Sequence, residues 1–167
     1  MYTNKIVLIT GSSRGVGFEI AKHFLAHNAI VIGFSRGTST INNTNYTHYS
    51  LDLSKPEDIS QTFKLITKQF RKIDIVINNA AVLTSQYSMI MPIKNAVDMV
   101  NINILAVFFV SREAAKLMKN STYGRIINIG SMASSLEPVG DSIYAACKVA
   151  INTLANVMAK ELSSTKF

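Results

Sequence analysis

Lys5-Ile-Val-Leu-Ile-Thr-Gly-Ser-Ser-Arg-Gly-Val-Gly17 is the stretch from which the rest of the chain can be read. Ile6 to Ile9 is an unbroken β-branched and aliphatic run, the pattern of a strand covered on both faces, and a glycine-rich turn follows at once. Past the turn, Ile20, Ala21, Phe24 and Leu25 recur at helical spacing, with Glu19, Lys22, His23 and His27 between them. An amphipathic helix is expected there. The glycines at 11, 15 and 17 permit positive φ and close backbone approach, so amide groups at the helix start can face a pyrophosphate. An ordinary tight turn is the other reading of the glycines alone. The strand before and the helix after favour a nucleotide site.

Ala29-Ile-Val-Ile-Gly-Phe34 reads as a second buried strand, closed by the polar turn Ser35-Arg36-Gly37. In dinucleotide folds an acidic residue about twenty positions past the glycine turn holds the ribose 2′-hydroxyl, whereas an arginine accommodates a 2′-phosphate. Here that position falls on Ser35, next to Arg36, and Arg14 stands in the glycine turn as a second cation. The pattern predicts NADP(H) over NAD(H). Two solvated arginines are the alternative.

Tyr46 to Leu51 reads as a third strand ending at Asp52-Leu53, and Ser54-Lys-Pro-Glu57 has the form of a capping box opening a helix with Ile59, Phe63, Ile66 and Phe70 inward. Ile73 to Asn79 is a fourth strand, followed by Ala80-Ala81 and a loop containing Pro92. A long helix is expected from Ile93 to Lys119, its apolar side carrying Val97, Val100, Ile104, Val107, Phe108, Ala115 and Met118. Gly124 to Ser131 is a fifth strand and Ser142 to Leu162 a last helix. This alternation predicts an α/β fold: a Rossmann-like, doubly wound parallel sheet in a three-layer αβα sandwich, strand order 3-2-1-4-5. Residues 1–167 are read as a single dinucleotide-binding domain, since no repeat or linker divides them. Ligands in such sheets lie beyond the carboxyl ends of the strands.

The composition narrows the choices. The net charge is +7, but the basic residues are scattered and lack aromatic interleaving, so no nucleic-acid partner is expected. No run of eighteen apolar residues occurs, and Met1-Tyr-Thr-Asn-Lys leads straight into a strand, so no membrane partner is expected and the protein is read as cytoplasmic. The single Cys147 fits a reducing compartment, and no metal site is expected.

Tyr144-Ala-Ala-Cys-Lys148 places a phenol and an ammonium four residues apart on one helical face. A phenol is a poor base at neutral pH, and a neighbouring cation favours its ionised form. Tyr144 can then exchange a proton with a substrate oxygen, assisted by Lys148, while Ser131 hydrogen-bonds the same oxygen and hydride passes between cofactor and substrate carbons. Packing tyrosine, solvated lysine and capping serine are the bland alternatives.

On these residues the chain resembles the short-chain dehydrogenase/reductase family. Thr10-Gly-Ser-Ser-Arg-Gly-Val-Gly17, Asp52-Leu53, Asn78-Asn-Ala-Ala81, Asn103, Ser131 and Tyr144-x-x-x-Lys148 stand in its order and spacing. The resemblance implies a ketone and a secondary alcohol as substrate pair. Tyr144 would be the acid/base, Ser131 would orient the substrate oxygen, Lys148 would bind the nicotinamide ribose, and Asn103 would hold a water linking Lys148 to solvent. It implies further cofactor contacts from Gly11, Ser13, Arg14, Gly15, Val16 and Gly17, from Asp52 at the adenine edge and Leu53 against the adenine, and from the Asn79, Ala80 and Ala81 backbone. A homodimer or homotetramer is also implied. Ala81 replaces the usual glycine, which is harmless if its φ is negative, and Val16 replaces a larger aliphatic residue. The family's sixth and seventh strands, with a Pro-Gly turn at the nicotinamide, have no counterpart before Phe167. A truncated family member that at most binds the dinucleotide is therefore the alternative expectation.

Overall fold

The structure is a computed structural model describing residues 2–163. Strands β1 (Ile6–Thr10), β2 (Ile30–Ser35), β3 (Tyr46–Ser50), β4 (Ile75–Asn78) and β5 (Arg125–Asn128) form one parallel sheet in the order β3-β2-β1-β4-β5. The helices are α1 (Gly15–Ala26), α2 (Pro56–Phe70), α3 (Ile93–Val100), α4 (Ala106–Met118), α5 (Ala133–Leu136) and α6 (Ser142–Leu162). Fold class and strand order are as the sequence predicts.

β1 lies at the centre of the sheet, and all five of its residues are buried. Successive side chains of a strand point to opposite faces. Ile6 and Leu8 accordingly join Ile32, Phe34, Val76, Ile59, Phe63, Val110 and Met118 in the core beneath α2 and α4. Val7 and Ile9 join Val31, Ile75, Ile77, Ala21, Phe24 and Leu25 beneath α1. β5, at the edge, pairs with β4 alone among the described residues; Arg125 and Ile127 are exposed, and Ile126 and Asn128 are half-buried. α6 packs against α3, α5 and the segment between α3 and α4.

Three local expectations are corrected. The capping box at Ser54–Glu57 does not form: the helix starts at Pro56 with Lys55 as its N-cap, and no side chain caps it. Ser54 instead donates both its amide (3.0 Å) and its hydroxyl (2.8 Å) to Asp52 Oδ1. An Asx-type bond two residues away competes with the more distant cap, and proline suits the first helical position.

The long helix is not uniform. Asn101–Leu105 forms a π-turn between α3 and α4. The wider turn rotates the apolar stripe, so Val107, Ala115 and Met118 stay buried while Val97 (49% exposed) and Phe108 (38% exposed) face outward. By length and composition Ile93–Met118 is long and apolar enough to cross a membrane, yet Val110, Ala114 and Met118 are fully buried in the sheet-facing core.

β5 ends at Asn128 rather than Ser131. Past that point the Ile129 carbonyl is taken by Lys148 Nζ at 2.7 Å, and the Ser131 hydroxyl oxygen accepts the Ala133 amide at 3.1 Å. The Ile129 amide still donates to Asn78 O at 3.0 Å, and a side chain takes the carbonyl beyond it.

Candidate active site

The start of the glycine turn is braced from both sides by neighbouring strands. Gly11 N–H and Ser12 N–H donate to Phe34 O at 2.7 and 3.2 Å, tying the turn to β2. Thr10 Oγ1 accepts the amides of Asn79 and Ala80, each at 3.0 Å, and Asn79 Nδ2 donates back to Thr10 O at 3.0 Å, tying it to the end of β4. Gly11 adopts φ 72° and Gly15 φ 60°, the left-handed region that favours glycine. Gly17 is needed for space: a Cβ there would collide with Gly11 O and with the Asn79 amide group.

This arrangement leaves a cleft of about 700 Å³ beyond the carboxyl ends of β1, β2 and β4. Its lining includes Gly11, Ser13, Arg14, Gly15 and Val16 on one side, Arg36, Asp52 and Leu53 on another, and Asn79, Ala80 and Ala81 across from them. Ser35, Gly37, Leu51, Val82 and Ile102 also line it and were not singled out from the sequence as cofactor contacts; places at or just past strand ends could have marked Ser35, Gly37 and Leu51, whereas Ile102 comes from the π-turn. Gly17 lies behind the loop and does not line the cleft.

The cleft's chemistry suits a dinucleotide. Arg14 is the N-cap of α1 and makes no side-chain capping bond, so the first-turn amides meet no cap and can face an anion. Arg14 and Arg36 are both exposed on its walls. Ala81 avoids positive φ, so the alanine is tolerated where the resemblance has glycine. The Ser54 amide, against an opposing effect of burial and with help from the Ser54 hydroxyl, Lys55 and Arg36, holds the Asp52 carboxyl below its ordinary pKa.

Ser131, Tyr144, Lys148 and Asn103 do not line that cleft; Lys148 joins the Tyr144 helix to the residue just past β5, and Asn103 is bonded to the loop after β4. Lys148 is 6% exposed, its Nζ donates to Ile129 O, and it lies 5.7 Å from the Tyr144 ring centroid. Burial lowers the pKa of its ammonium, against a smaller opposing effect of Cys147. Ser131 follows two residues after that carbonyl. Its oxygen is engaged with Ala133, and a hydroxyl keeps its proton to donate while it accepts. Asn103, in the π-turn, is 1% exposed and clasps the Val82 main chain, accepting its N–H at 3.0 Å and donating to its carbonyl at 2.8 Å. That clasp joins the helix that packs on α6 to the loop that lines the cleft.

The family model described as short chain dehydrogenase matches residues 5–166. The 3-oxoacyl-[acyl-carrier-protein] reductase FabG of Vibrio cholerae is 32% identical over 166 residues, covering 96% of this chain and 68% of that protein. FabG of Escherichia coli is 31% identical, covering 98% and 69%. Among solved structures, ligand-free aldohexose dehydrogenase of Thermoplasma acidophilum superposes with a TM-score of 0.93 at 24% identity, and this chain spans 64% of its length. A short-chain dehydrogenase/reductase from Serratia marcescens superposes with a TM-score of 0.87 at 29% identity, with 96% of this chain and 73% of that one covered. With this match from end to end, the chain belongs to the short-chain dehydrogenase family of oxidoreductases.

Proposed function

We propose that the protein is an NADP(H)-dependent oxidoreductase interconverting a ketone and a secondary alcohol, with Tyr144 as the acid/base. The observation that carries this reading is Lys148: a buried ammonium beside the Tyr144 ring, anchored past the end of β5 to the Ile129 carbonyl, two residues before Ser131. A buried lysine is expensive, and one placed beside a phenol at the ligand end of a parallel sheet marks a site of proton chemistry.

The dinucleotide, when bound, supplies or accepts the hydride. The chain's own residues do the rest. The glycine turn and α1 amides bind the pyrophosphate, and Arg36 and Arg14 meet the 2′-phosphate, which supports NADP(H) as the preferred form. Ser131 Oγ–H orients the substrate oxygen. Tyr144 Oη gives that oxygen a proton in reduction and takes it back in oxidation, and the Lys148 charge stabilises the phenolate between. Asn103 has one amide hydrogen and one lone pair left after its Val82 bonds, so its part in a water path from Lys148 rests on those and on its main chain.

The FabG relatives make a 3-oxoacyl thioester the first ketone to assay. We read the protein as cytoplasmic and as a homodimer or homotetramer, the latter supported by exposed Val97, Leu105 and Phe108 on the long helix. NADPH oxidation with a ketone panel tests the reaction: Tyr144→Phe should lower turnover by about 10²- to 10⁴-fold, the usual worth of general acid/base catalysis. Equal turnover in variant and wild type would refute the role of Tyr144. A second reading, dinucleotide binding with little turnover, is favoured by the cleft lining, which lacks Ser131 and Tyr144, and by the open outer edge of β5. NADPH binding without oxidation under any ketone would establish it.

A further inference from the structure

We infer that His48, on the edge strand β3, is a positioning residue that sets the preference for a 2′-phosphorylated dinucleotide. The inference rests on the proposed role of Arg36. It starts from a continuous hydrogen-bonded chain that joins the two halves of the cofactor cleft. Ser12 Oγ, in the glycine turn, lies 3.1 Å from Tyr46 Oη; Tyr46 Oη lies 3.1 Å from His48 Nδ1; and His48 Nε2 lies 2.8 Å from Gly37 O.

The partners assign the protons. Gly37 O can only accept, so Nε2 carries the ring's hydrogen, and Nδ1 of the neutral imidazole accepts from the Tyr46 phenol. Tyr46 Oη in turn accepts from Ser12. The three hydrogen bonds then run in one direction, from the pyrophosphate turn to the ribose turn.

Backbone register makes the chain possible. Tyr46 and His48 are two apart on β3 and share a face, and their rings stack at 6.1 Å with an angle of 29°. Their neighbours on β2 are Val31 and Gly33. A Cβ at Gly33 would occupy the space in which the Ser12 and Tyr46 hydroxyls meet, so this glycine is required by the contact and not by its φ.

The far end of the chain holds the turn that carries Arg36. Gly37 O accepts a second bond from Ser35 Oγ at 2.8 Å, and Arg36 O accepts Ser50 Oγ at 2.9 Å. The carbonyls of both Arg36 and Gly37 are therefore pinned, and the Arg36 side chain is exposed in the cleft. A 2′-hydroxyl needs little from that turn; a 2′-phosphate needs the cation held in place. Loss of the His48 tether therefore costs NADPH more than NADH.

The test measures dissociation constants of NADPH and NADH for wild type, His48→Ala, His48→Gln and Arg36→Ala, with thermal melts of each. Glutamine keeps an N–H where imidazole Nε2 stood. We expect His48→Ala to lower the NADPH-over-NADH affinity ratio by about threefold to tenfold, the worth of one net hydrogen bond, and His48→Gln to restore it. An unchanged ratio in His48→Ala, an equal loss of both cofactors, or a His48→Gln chain that behaves like His48→Ala would overturn the inference. Arg36→Ala separates the two levels: if it leaves the ratio unchanged, the assignment of Arg36 fails and this inference with it. If Arg36→Ala lowers the ratio and His48→Ala does not, only the role of His48 is wrong.

Discussion

Lys148 Nζ donates to the carbonyl of Ile129 at 2.7 Å, so the helix bearing Tyr144 is fastened to the end of β5 by the same cation that stands beside the phenol. One side chain thus sets both the position of the acid/base candidate and its electrostatic surroundings.

That burial has a consequence at alkaline pH. It holds the Lys148 ammonium below the usual lysine pKa of about 10.4, so between the two values the unfolded chain binds a proton that the folded chain does not. Stability from this group therefore rises as pH increases through that window. Lys148→Met should lack this rise, and on the proposed reading its NADPH affinity should fall as well. Urea unfolding of both proteins across the alkaline range checks the first point; parallel pH slopes would contradict it.

Gly17 admits no side chain. Gly17→Ala drives a methyl group into Gly11 O, and the turn must shift to relieve it. Overpacking of this kind costs about 1–3 kcal/mol. Dinucleotide titration and a melting curve should show weaker binding together with a lower Tm. An alanine variant that binds NADPH like wild type would mean the turn is softer than its hydrogen bonds indicate.

Thr10 Oγ1 takes two amides from the end of β4. Thr10→Val keeps the shape and deletes the acceptor, leaving both N–H groups unpaired at a cost of about 1–3 kcal/mol each at most. Hydrogen exchange at Asn79 and Ala80 should speed up, and dinucleotide affinity should fall. Thr10→Ser should restore both.

Asp74 organises the opposite end of the sheet. Its side chain is wholly buried and accepts Ile6 N–H at 2.9 Å, the Ser121 hydroxyl, and Lys72 Nζ at 3.0 Å. Burial alone would raise its pKa, but the Ser121, Ile6 and Lys72 contacts together outweigh it and hold the carboxyl below its ordinary value. Its contribution is therefore present above the unfolded-state pKa of about 3.9 and is lost as pH falls through the lower folded value. Asp74→Ala should destabilise by about 3–5 kcal/mol at neutral pH, and the gap from wild type should narrow in acid. Denaturant midpoints at neutral and acidic pH decide it; a constant gap would refute the linkage.

Much of this was legible in the chain itself. The unbroken run Ile6 to Ile9 required a strand buried on both faces, and a strand so buried belongs in the middle of a parallel sheet. The Ser142–Leu162 helix and the glycine turn followed from periodicity and punctuation, which are local properties, and the order of the strands from the rules that govern right-handed βαβ crossovers. Tertiary structure decided the rest, because it depends on groups far apart in sequence. Asn103 sits in a π-turn clasped to Val82, Ser54 turns to Asp52 instead of capping α2, and Ser12 meets His48 through Tyr46 across space that Gly33 leaves open. A hydrogen bond between distant residues leaves no period in the sequence; only packing brings its two ends together.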